Sequence, residues 1–422
     1  MTTPAPPAQR PRVAHITTVD LSLRLLLQRQ LQSLQSAGYE VVGISTPGEN
    51  VAEIEAAGIP HIALPMSRNF TPLADLRSLF SLIALLRREG FTIVHTHTPK
   101  AGLLGQLAAR FAKVPIIVNT VHGFYFHEHM APRARRFYVA VEKIAAWCSD
   151  AILSQNGEDL QTAIREHICP ADRITHLGNG IDLSNFDPDR IDPATDAALR
   201  ARLQLPVGTP VVGYVGRLAG RRKGFVDFLS AARAIAAHLP EARFLIVGAA
   251  DSGKPDAVEP SVAADYGIAE RCIFVGHLPP EDLPPYYRLM DTLVLPSLFE
   301  GMPRVVMEAS AMGVPSVVSD VKGNREAVEP GRNGLLVPLG DVPALTAAIL
   351  HILENPAVAA RFAAGGRSLA AERFDERLVF QRVRECYETQ LRRKGLAHWI
   401  PSPPAPPAEA AASVKSASLL RS

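Results

Sequence analysis

The stretch Leu295–Ala309, with the sequence LPSLFEGMPRVVMEA, leads from an apolar strand through a turn into a helix. The apolar run that begins at Thr292 predicts the strand, and Pro303 suits the first turn of the helix, where a missing N–H costs nothing. The first N–H groups of a helix have no internal partners and point outward with the positive end of the helix dipole. This turn is therefore suited to binding a phosphate.

Two carboxylates frame the turn, with seven residues between them. Glu300 lies in the turn, and Gly301 beside it lets a ligand approach the backbone closely. Glu308 lies on the helix, where a carboxylate can accept hydrogen bonds from sugar hydroxyls, as one does for ribose in dinucleotide folds. The alternative is an ordinary strand–turn–helix unit with two surface glutamates, and the rest of the chain decides between the two.

Short apolar strands alternate with helical segments on both sides of this stretch, which predicts an α/β fold with parallel, doubly wound sheets. In such sheets ligands bind at the carboxyl ends of the strands. The predicted strands of the N-terminal half are Val13–Thr17, Glu40–Ile44, His61–Leu64, Thr92–His95, Ile116–Thr120 and Ala151–Ser154. Those of the C-terminal half are Val211–Val215, Arg243–Val247, Cys272–Val275, Thr292–Leu295, Ser316–Ser319 and Gly334–Val337.

A chain of 422 residues favours two domains. The turn-rich junction that begins at Leu177 places the boundary between a domain at 12–190 and a second at 191–373. A last helix is predicted within 374–396. The Pro- and Ala-rich ends, 1–11 and 397–422, are predicted to be a flexible tail and a disordered tail.

The composition narrows the class of protein. A net charge of +2 does not indicate a nucleic-acid partner, and the four scattered cysteines show no metal-binding spacing. The N-terminus lacks the layout of a signal peptide, and no run approaches the roughly 20 apolar residues that span a bilayer. We therefore expect a cytoplasmic protein that at most visits the inner face of the membrane.

Histidines follow the fourth and fifth predicted strands, where a doubly wound sheet places its chemistry. His95 and His97 alternate as strand residues do, but no Asp, Glu or Cys stands nearby as a third metal ligand. We therefore predict no metal site and expect a substrate contact or a structural role. His122 precedes Gly123, which opens space beside it, and a contact with substrate or a loop histidine with satisfied hydrogen bonds are the two interpretations.

The segment Met130–Ala146 combines basic and apolar side chains at helical spacing. Such a helix can lie on an anionic membrane, although a solvated helix face fits the pattern equally well. Its basic residues are Arg133, Arg135, Arg136 and Lys143, and its large apolar residues include Phe137, Tyr138, Val141 and Ile144.

Two basic residues lie in the loop after the strand Val211–Val215. Arg217 ends this strand, and Lys223 precedes the next helix, so the two side chains flank one loop. Arginine supplies a forked contact and lysine a point charge, and together they suit a diphosphate. A solvated basic loop is the alternative.

Taken together, the two halves, the Gly216-Arg217-Leu218…Lys223-Gly224 loop and the Glu-x7-Glu turn resemble the retaining GT-B glycosyltransferases of family 4. The resemblance covers roughly Val13 to Leu391 and implies two Rossmann-like domains that face a central cleft. Three further segments resemble the branch of the family that assembles capsule, exopolysaccharide and lipid-linked oligosaccharide. They are HTHTPK at 95–100, TVHG at 120–123 and SQN at 154–156.

The resemblance also implies roles for individual residues. A nucleotide sugar, with UDP as the expected nucleotide, binds the C-terminal domain, where Arg217 and Lys223 hold its diphosphate and Glu308 its ribose. The segment around Leu278 contacts the base, and His122 lies near the anomeric carbon. Glu300 contacts the donor sugar and phosphate together with the backbone of Gly301, Met302, Pro303, Arg304 and Val305.

The acceptor, a saccharide or a lipid-linked saccharide, is expected on the N-terminal domain. Arg24, His97 and Lys100 are the candidates on that side, and the last helix, Phe374–Leu391, is expected to cross back to that domain. Many family members carry a glycine-rich loop after the first strand that approaches the phosphate. Here the corresponding stretch, Thr17–Arg24, has no glycine and is expected to use hydroxyls and Arg24 instead.

The implied chemistry retains the anomeric configuration, with the donor phosphate taking the acceptor's proton. Fixed positive groups stabilise the leaving diphosphate, so neither a metal nor another cofactor is expected. Two rival functions remain. The first is a GT-B sugar epimerase, against which the Glu300/Glu308 spacing argues, and the second is a scaffold that binds a nucleotide sugar without transferring it.

Overall fold

The computed structural model describes residues 10–67, 71–127, 130–251 and 256–401. Of the tails predicted at 1–11 and 397–422, residues 1–9 and 402–422 lie outside these ranges. Two parallel sheets form the frame, which confirms the predicted α/β fold. The seven-stranded sheet contains β1 (Arg12–Val19), β2 (Glu40–Thr46), β3 (His61–Ala63), β4 (Ile93–His97), β5 (Ile116–Val121), β6 (Ala151–Ser154) and β7 (Ile174–His176). The six-stranded sheet contains β8 (Val211–Val215), β9 (Arg243–Val247), β10 (Cys272–Gly276), β11 (Thr292–Leu295), β12 (Ser316–Ser319) and β13 (Gly334–Val337).

Helices connect the strands. Those that begin in the first 165 residues are α1 (Asp20–Ser22), α2 (Gln28–Ser36), α3 (Val51–Ala56), α4 (Pro72–Glu89), α5 (Pro99–Ala112), α6 (Pro132–Cys148) and α7 (Gly157–Arg165), with a π-helical turn at Leu23–Leu27. The later ones are α8 (Pro193–Arg202), α9 (Phe225–His238), α10 (Pro284–Arg288), α11 (Arg304–Ala311), α12 (Lys322–Ala327), α13 (Val342–Leu353), α14 (Pro356–Arg373) and α15 (Glu376–Arg393). Short 3-10 turns lie at Ala171–Arg173, Pro188–Arg190, Pro260–Ala264, Ala269–Arg271, Pro280–Asp282 and Ala397–Trp399.

Strand residues alternate between two cores because successive side chains point to opposite faces of a sheet. In β1, Val13 packs into the core on one face and Ala14 into the core on the other. In β8, Val211 and Val212 divide in the same way between the two cores of the C-terminal sheet. Both faces of each sheet are therefore buried, which explains the short, continuous apolar runs in the sequence.

Each sheet reverses its strand order once. The orders are β3-β2-β1-β4-β5-β6-β7 and β10-β9-β8-β11-β12-β13, so the order reverses between β1 and β4 and between β8 and β11. The loops that leave the carboxyl ends of such a strand pair run in opposite directions and open a crevice, which is where doubly wound sheets bind ligands. The stretch Leu295–Ala309 leaves one of these strands, β11.

The prediction of a loop at Thr17–Arg24 is wrong. Strand β1 continues to Val19, and a helix begins at Asp20 without an intervening loop. The Asp20 carboxylate explains the junction, because it accepts hydrogen bonds at 2.8 Å from the N–H of Leu21 and from the N–H of Asn50 on the neighbouring turn. The side chain of Arg24 forms an ion pair with Glu53.

The chain crosses between the domains near Ile181 and again near Asp375, and these two residues form a parallel bridge. Helix α15 then packs on the N-terminal domain, where it buries Val379, Val383, Tyr387 and Leu391 in the core that also contains Val13. The predicted disordered tail begins too early, because Trp399 and Ile400 pack against the same core. In the described residues no single helix is long and apolar enough to cross a membrane, and only α13 and α14, bent by 93°, meet that test as a pair.

Candidate active site between the two domains

The loops after β8 and β11 lie side by side because these strands are neighbours in the C-terminal sheet. The Leu298 N–H donates a hydrogen bond of 3.1 Å to the carbonyl of Arg222, which links the two loops directly. The Arg222 guanidinium also lies 4.9 Å from the ring centre of Phe299. The basic loop and the glutamate turn therefore form one surface.

Lys223 and Glu300 meet on this surface. The Lys223 Nζ lies 2.7 Å from Glu300 Oε1, and the two side chains are 23% and 11% exposed. Arg217, by contrast, lies 3.4 Å from Asp251. The two predicted diphosphate ligands thus lie on one loop with separate carboxylate partners, and a shared anion would divide their N–H donors with those carboxylates.

Helix α11 begins at Arg304, with Pro303 at the position before it. Glu308 is buried and accepts a hydrogen bond of 2.8 Å from the Tyr287 hydroxyl. Burial raises the pKa of Glu308, while the nearby Arg304 and the Tyr287 hydrogen bond lower it, and the net shift is upward. Met302 and Val305 pack in the core beneath this turn, and Leu278, which follows β10, packs against the same core.

The turn at Gly301 touches the N-terminal domain. Gly123 has φ +105, and a Cβ added there would lie 2.7 Å from the Cα of Gly301. A Cβ on Gly301 would lie 2.0 Å from the carbonyl oxygen of His122. Both positions therefore require glycine for the domains to meet this closely, and this contact brings the turn that carries Glu300 against the backbone of His122.

Side-chain amides of the N-terminal domain hold the same turn. Asn156 Nδ2 donates to the carbonyl of Gly301 at 2.9 Å, and Asn179 Nδ2 donates to that of Met302 at 3.1 Å. In the other direction, Arg304 Nη1 donates to the carbonyl of Leu25 at 2.9 Å. Hydrogen bonds from both domains therefore fix the segment 301–304 at the junction.

Of the predicted N-terminal residues, His122 lies at the edge of the cleft and His97 lies behind it. Burial lowers the pKa of His122 to about 4, and a hydrogen bond with Gln155 opposes this shift. His97 is only 1% exposed and lies 3.1 Å from His122, so it supports that residue from inside the domain. Lys100 forms an ion pair of 2.5 Å with Asp75.

A cavity of about 580 Å³ lies between the domains. Three residues predicted from the sequence line it, namely Arg24, His122 and Arg304. Gln155, Asn179 and Glu376 also line it and were not predicted. The sequence does contain a signal for this region. Asn156 follows a strand and Asp159 comes three residues later, a spacing typical of the start of a helix, and in the structure Asn156 is the N-cap of α7.

Asp159 is a further residue of the domain junction that was not predicted from the sequence. It is fully buried and accepts hydrogen bonds from the Phe124 N–H at 3.0 Å and from Asn156 Nδ2 at 2.9 Å. It also forms an ion pair with Lys322 of the C-terminal domain. A second ion pair between the domains joins Arg325 to Glu158 at 2.7 Å.

Comparison with known proteins adds family matches to this geometry. A family described as "Glycosyl transferases group 1" matches residues 209–355, and one described as "Glycosyl transferase 4-like domain" matches residues 26–180. The two matches fall on the C-terminal and the N-terminal sheet, respectively.

Individual proteins resemble the chain over most of its length. It is 33% identical over 293 residues to a UDP-Gal:alpha-D-GlcNAc-diphosphoundecaprenol alpha-1,3-galactosyltransferase of Escherichia coli, which covers 69% of this chain and 73% of that protein. It is 25% identical to the capsular polysaccharide biosynthesis glycosyltransferase CapM of Staphylococcus aureus, over 90% of this chain and 98% of CapM.

Solved structures share the fold. The sucrose-phosphate synthase of Thermosynechococcus elongatus superposes with a TM-score of 0.78 at 24% identity, over 91% of this chain and all of that one. HepE of Anabaena, solved in complex with UDP-glucose, gives a TM-score of 0.75 at 21% identity, over 90% of this chain and 99% of that one.

Proposed function

This chain is a group 1 glycosyltransferase with the two-domain GT-B fold, and we propose that it transfers a hexose or an N-acetylhexosamine with retention of configuration. The proposed donor is a UDP-sugar, and the proposed acceptor is a saccharide or a lipid-linked saccharide of a surface polysaccharide. The Escherichia coli relative is named for a UDP-sugar donor and a lipid diphosphate acceptor, which supports the proposed donor and the proposed lipid-linked acceptor.

One observation carries the proposal. Lys223 and Glu300 pair at the strand reversal of the C-terminal sheet, and the turn of Glu300 touches His122 and Gly123 across the domain junction. A donor bound at this reversal has its diphosphate beside Lys223 and Arg217 and its sugar toward His122. The positive groups and the start of α11 then stabilise the charge that develops on the leaving diphosphate.

The proposed step exchanges one bond at the anomeric carbon for another. The bond from this carbon to the diphosphate oxygen breaks, and the bond to the acceptor oxygen forms on the same face. The acceptor's proton passes to the departing phosphate, so UDP leaves protonated at that oxygen. His122 is neutral at pH 7, because burial lowers its pKa to about 4, and its proposed role is to hydrogen-bond the sugar.

We further propose that the transfer needs no metal ion, since Lys223, Arg217 and the helix start supply the positive charge. Activity is then expected to persist in excess EDTA and to gain nothing from added Mg²⁺ or Mn²⁺. Loss of turnover on chelation, restored by one of these ions, would contradict this part of the proposal.

The transfer reaction itself is tested with a panel of UDP- and GDP-sugars and lipid-diphosphate-linked monosaccharides. We expect one UDP-sugar to yield an extended lipid-linked product with an α linkage, visible by NMR. An isomerised sugar formed without acceptor would favour the epimerase. UDP-sugar binding without any transfer across the acceptor panel would favour the scaffold.

We also propose that α6 docks on an anionic membrane, which would bring a lipid-linked acceptor to the site. Its exposed side includes Phe137, Ile144 and Trp147, which are 56%, 53% and 67% exposed. Arg133, Arg136 and Lys143 are exposed on the same helix. Apolar and basic side chains on one helix side suit insertion among anionic head groups.

Flotation with vesicles of phosphatidylglycerol and phosphatidylcholine tests this surface. The double change Phe137→Glu and Trp147→Glu is expected to abolish co-flotation at low salt. The control Val207→Glu adds a charge at a residue that is 94% exposed on the C-terminal domain, and it is expected to float like the wild type. Equal flotation of all three proteins, or of none, would refute the docking surface.

A further inference from the structure

A lysine of the C-terminal domain reaches into the N-terminal domain beside the candidate site. Lys322 is the first residue of α12, and its ammonium forms an ion pair with Asp159 of α7, whose side chain is fully buried. The same ammonium lies 6.0 Å from the ring centre of Phe124 and 5.8 Å from that of Phe126, close enough for cation–π attraction. Both phenylalanines are at most 4% exposed. Asp159, Phe124 and Phe126 therefore form a socket that receives the Lys322 side chain.

Part of this socket belongs to the loop that carries His122. Phe124 comes two residues after His122, and its N–H donates a hydrogen bond of 3.0 Å to Asp159 Oδ2. Lys322 donates to the other carboxylate oxygen, Oδ1. One buried carboxylate therefore holds the backbone of the His122 loop with one oxygen and the C-terminal domain with the other.

Asp159 is also connected to the turn that carries Glu300. Its Oδ2 accepts a second hydrogen bond, of 2.9 Å, from Asn156 Nδ2, and the same Nδ2 donates to the carbonyl of Gly301 at 2.9 Å. Gly301 directly follows Glu300 and lies against the backbone of His122. Asp159 and Asn156 therefore join the two loops of the candidate site from the side of the N-terminal domain.

The charge of Asp159 is balanced from the other domain. Within the described ranges of the chain, Lys322 is the only cation that forms an ion pair with Asp159. Removing one partner of a buried ion pair is costly, because the remaining charge has neither its partner nor the water that would solvate it. Loss of the Lys322 ammonium therefore leaves Asp159 uncompensated unless the domains separate far enough to admit water.

A neighbouring ion pair between the same two helices differs in its burial. Arg325 of α12 pairs with Glu158 of α7 at 2.7 Å, and these side chains are 34% and 45% exposed. Those of Lys322 and Asp159 are only 16% and 0% exposed. Exposed ion pairs contribute little, because water solvates both ions when the pair is broken. The two pairs therefore separate the effect of a buried counter-ion from that of charge at the interface in general.

We propose that Lys322 is a positioning residue that couples the contact between the two domains to the position of the loop 122–126. While Lys322 occupies its socket, this loop stays packed against the turn of Glu300. When Lys322 leaves, the loop loses both this cover and the contact with Gly301. The importance of the loop for sugar transfer rests on the proposed function, whereas the coupling itself does not.

Hydrogen exchange measured by mass spectrometry, without any ligand, tests the coupling. We expect Lys322→Met to accelerate exchange about 10-fold in peptides that contain Phe124, because the loop loses its cover. Peptides from β8, in the core of the C-terminal domain, should exchange as in the wild type, which excludes general unfolding. We also expect kcat to fall about 100-fold, the scale that loss of one partner of a buried ion pair predicts.

Arg325→Met is the matched control. It removes a cation from the same helix and breaks exposed ion pairs with Glu158 and Asp320, so exchange and kcat should stay within about twofold of the wild type. The double variant Asp159→Asn with Lys322→Met removes both buried charges and keeps an oxygen for the Phe124 N–H. Its kcat should recover about 10-fold relative to Lys322→Met, and its exchange should approach that of the wild type. If Lys322→Met does not fold, Lys322→Gln is measured with the same expectations.

Three results would overturn the inference. They are unchanged exchange near Phe124 after the substitution of Lys322, an equal effect of Arg325→Met, and a double variant that exchanges as fast as Lys322→Met alone. A wild type that transfers no sugar, with variants that show the expected pattern of exchange, would refute the proposed function alone.

Discussion

Lys223 Nζ lies 2.7 Å from the Glu300 carboxylate, across two loops that follow neighbouring strands. The pair joins a residue assigned to the donor phosphates with one assigned to the donor sugar. A phosphate that binds Lys223 therefore shares the positive charge of this ammonium with Glu300. Substituting Lys223 alone therefore tests the assignment to the phosphates, and substituting Glu300 alone tests the assignment to the sugar.

Lys223→Ala is expected to weaken UDP binding about 10- to 100-fold, because a charge-assisted hydrogen bond contributes about 1.5–3 kcal/mol. Isothermal titration calorimetry measures the change. Arg221→Ala is the control, since Arg221 is exposed on the same loop. A similar loss in both variants would show that only the general positive charge of the loop matters.

Glu300→Gln is expected to impair sugar transfer without weakening UDP binding, in contrast to Lys223→Ala. It removes the charge that competes for Lys223, so the affinity for UDP should stay equal or increase. Transfer should fall about 100-fold, the scale seen when a group that stabilises the transition state is removed. A proportional loss of binding and transfer would argue that Glu300 only supports the loop.

Gly123→Ala tests the contact between the domains. The new Cβ would lie 2.7 Å from the Cα of Gly301, so the junction must open. We expect kcat to fall at least 10-fold, because a misplacement of about 1 Å can cost 10²-fold.

The control for this change is Gly208→Ala. Gly208 also has positive φ, at +82, but a Cβ there meets nothing within 4 Å. It carries the same kind of backbone strain without the clash, so its activity should remain near that of the wild type. Equal losses in the two variants would assign the effect to strain rather than to the junction.

The buried histidines predict how stability depends on pH. Burial lowers the pKa of His15 to about 3 and that of His122 to about 4, below the value of about 6.5 in the unfolded chain. The unfolded chain therefore takes up protons that the folded one excludes, and stability falls as the pH drops below about 6.5. Each such histidine contributes up to about 1.4 kcal/mol per pH unit.

Urea denaturation between pH 7.5 and 5.5 measures this slope. His277→Gln is the control and should leave this slope unchanged, because the His277 side chain is exposed. A free energy of unfolding that stays constant over this range would contradict the neutral state of the buried histidines.

The sequence predicted twelve of the thirteen described strands, because most of them are short apolar runs; β7 (Ile174–His176) was missed, since it has three residues and two of them are polar. The sequence predicted some of the helices and missed others. Helix α14 (Pro356–Arg373) was not predicted, since Gly365 and Gly366 resemble a break in a helix. In the fold, a Cβ on Gly365 would lie 2.2 Å from the Arg332 carbonyl oxygen, so close packing accounts for the glycine.

The candidate site was predictable only where its residues are near in sequence or follow strand ends. Glu300, Lys223 and His122 satisfy that condition. The contact between Tyr387 and His95 joins residues 292 positions apart, and a tyrosine on an amphipathic helix carries no sign of such a partner. The ion pair between Asp159 and Lys322 is hidden for the same reason.

The return of α15 to the first domain has a consequence for synthesis on the ribosome. Val379, Val383 and Tyr387 complete a core whose other members include residues as early as Val13. The first domain therefore cannot finish its core when its own strands emerge, and it must wait with an open apolar groove until the second domain has been translated. A nascent chain stalled before residue 374 should be sensitive to proteases and dependent on chaperones.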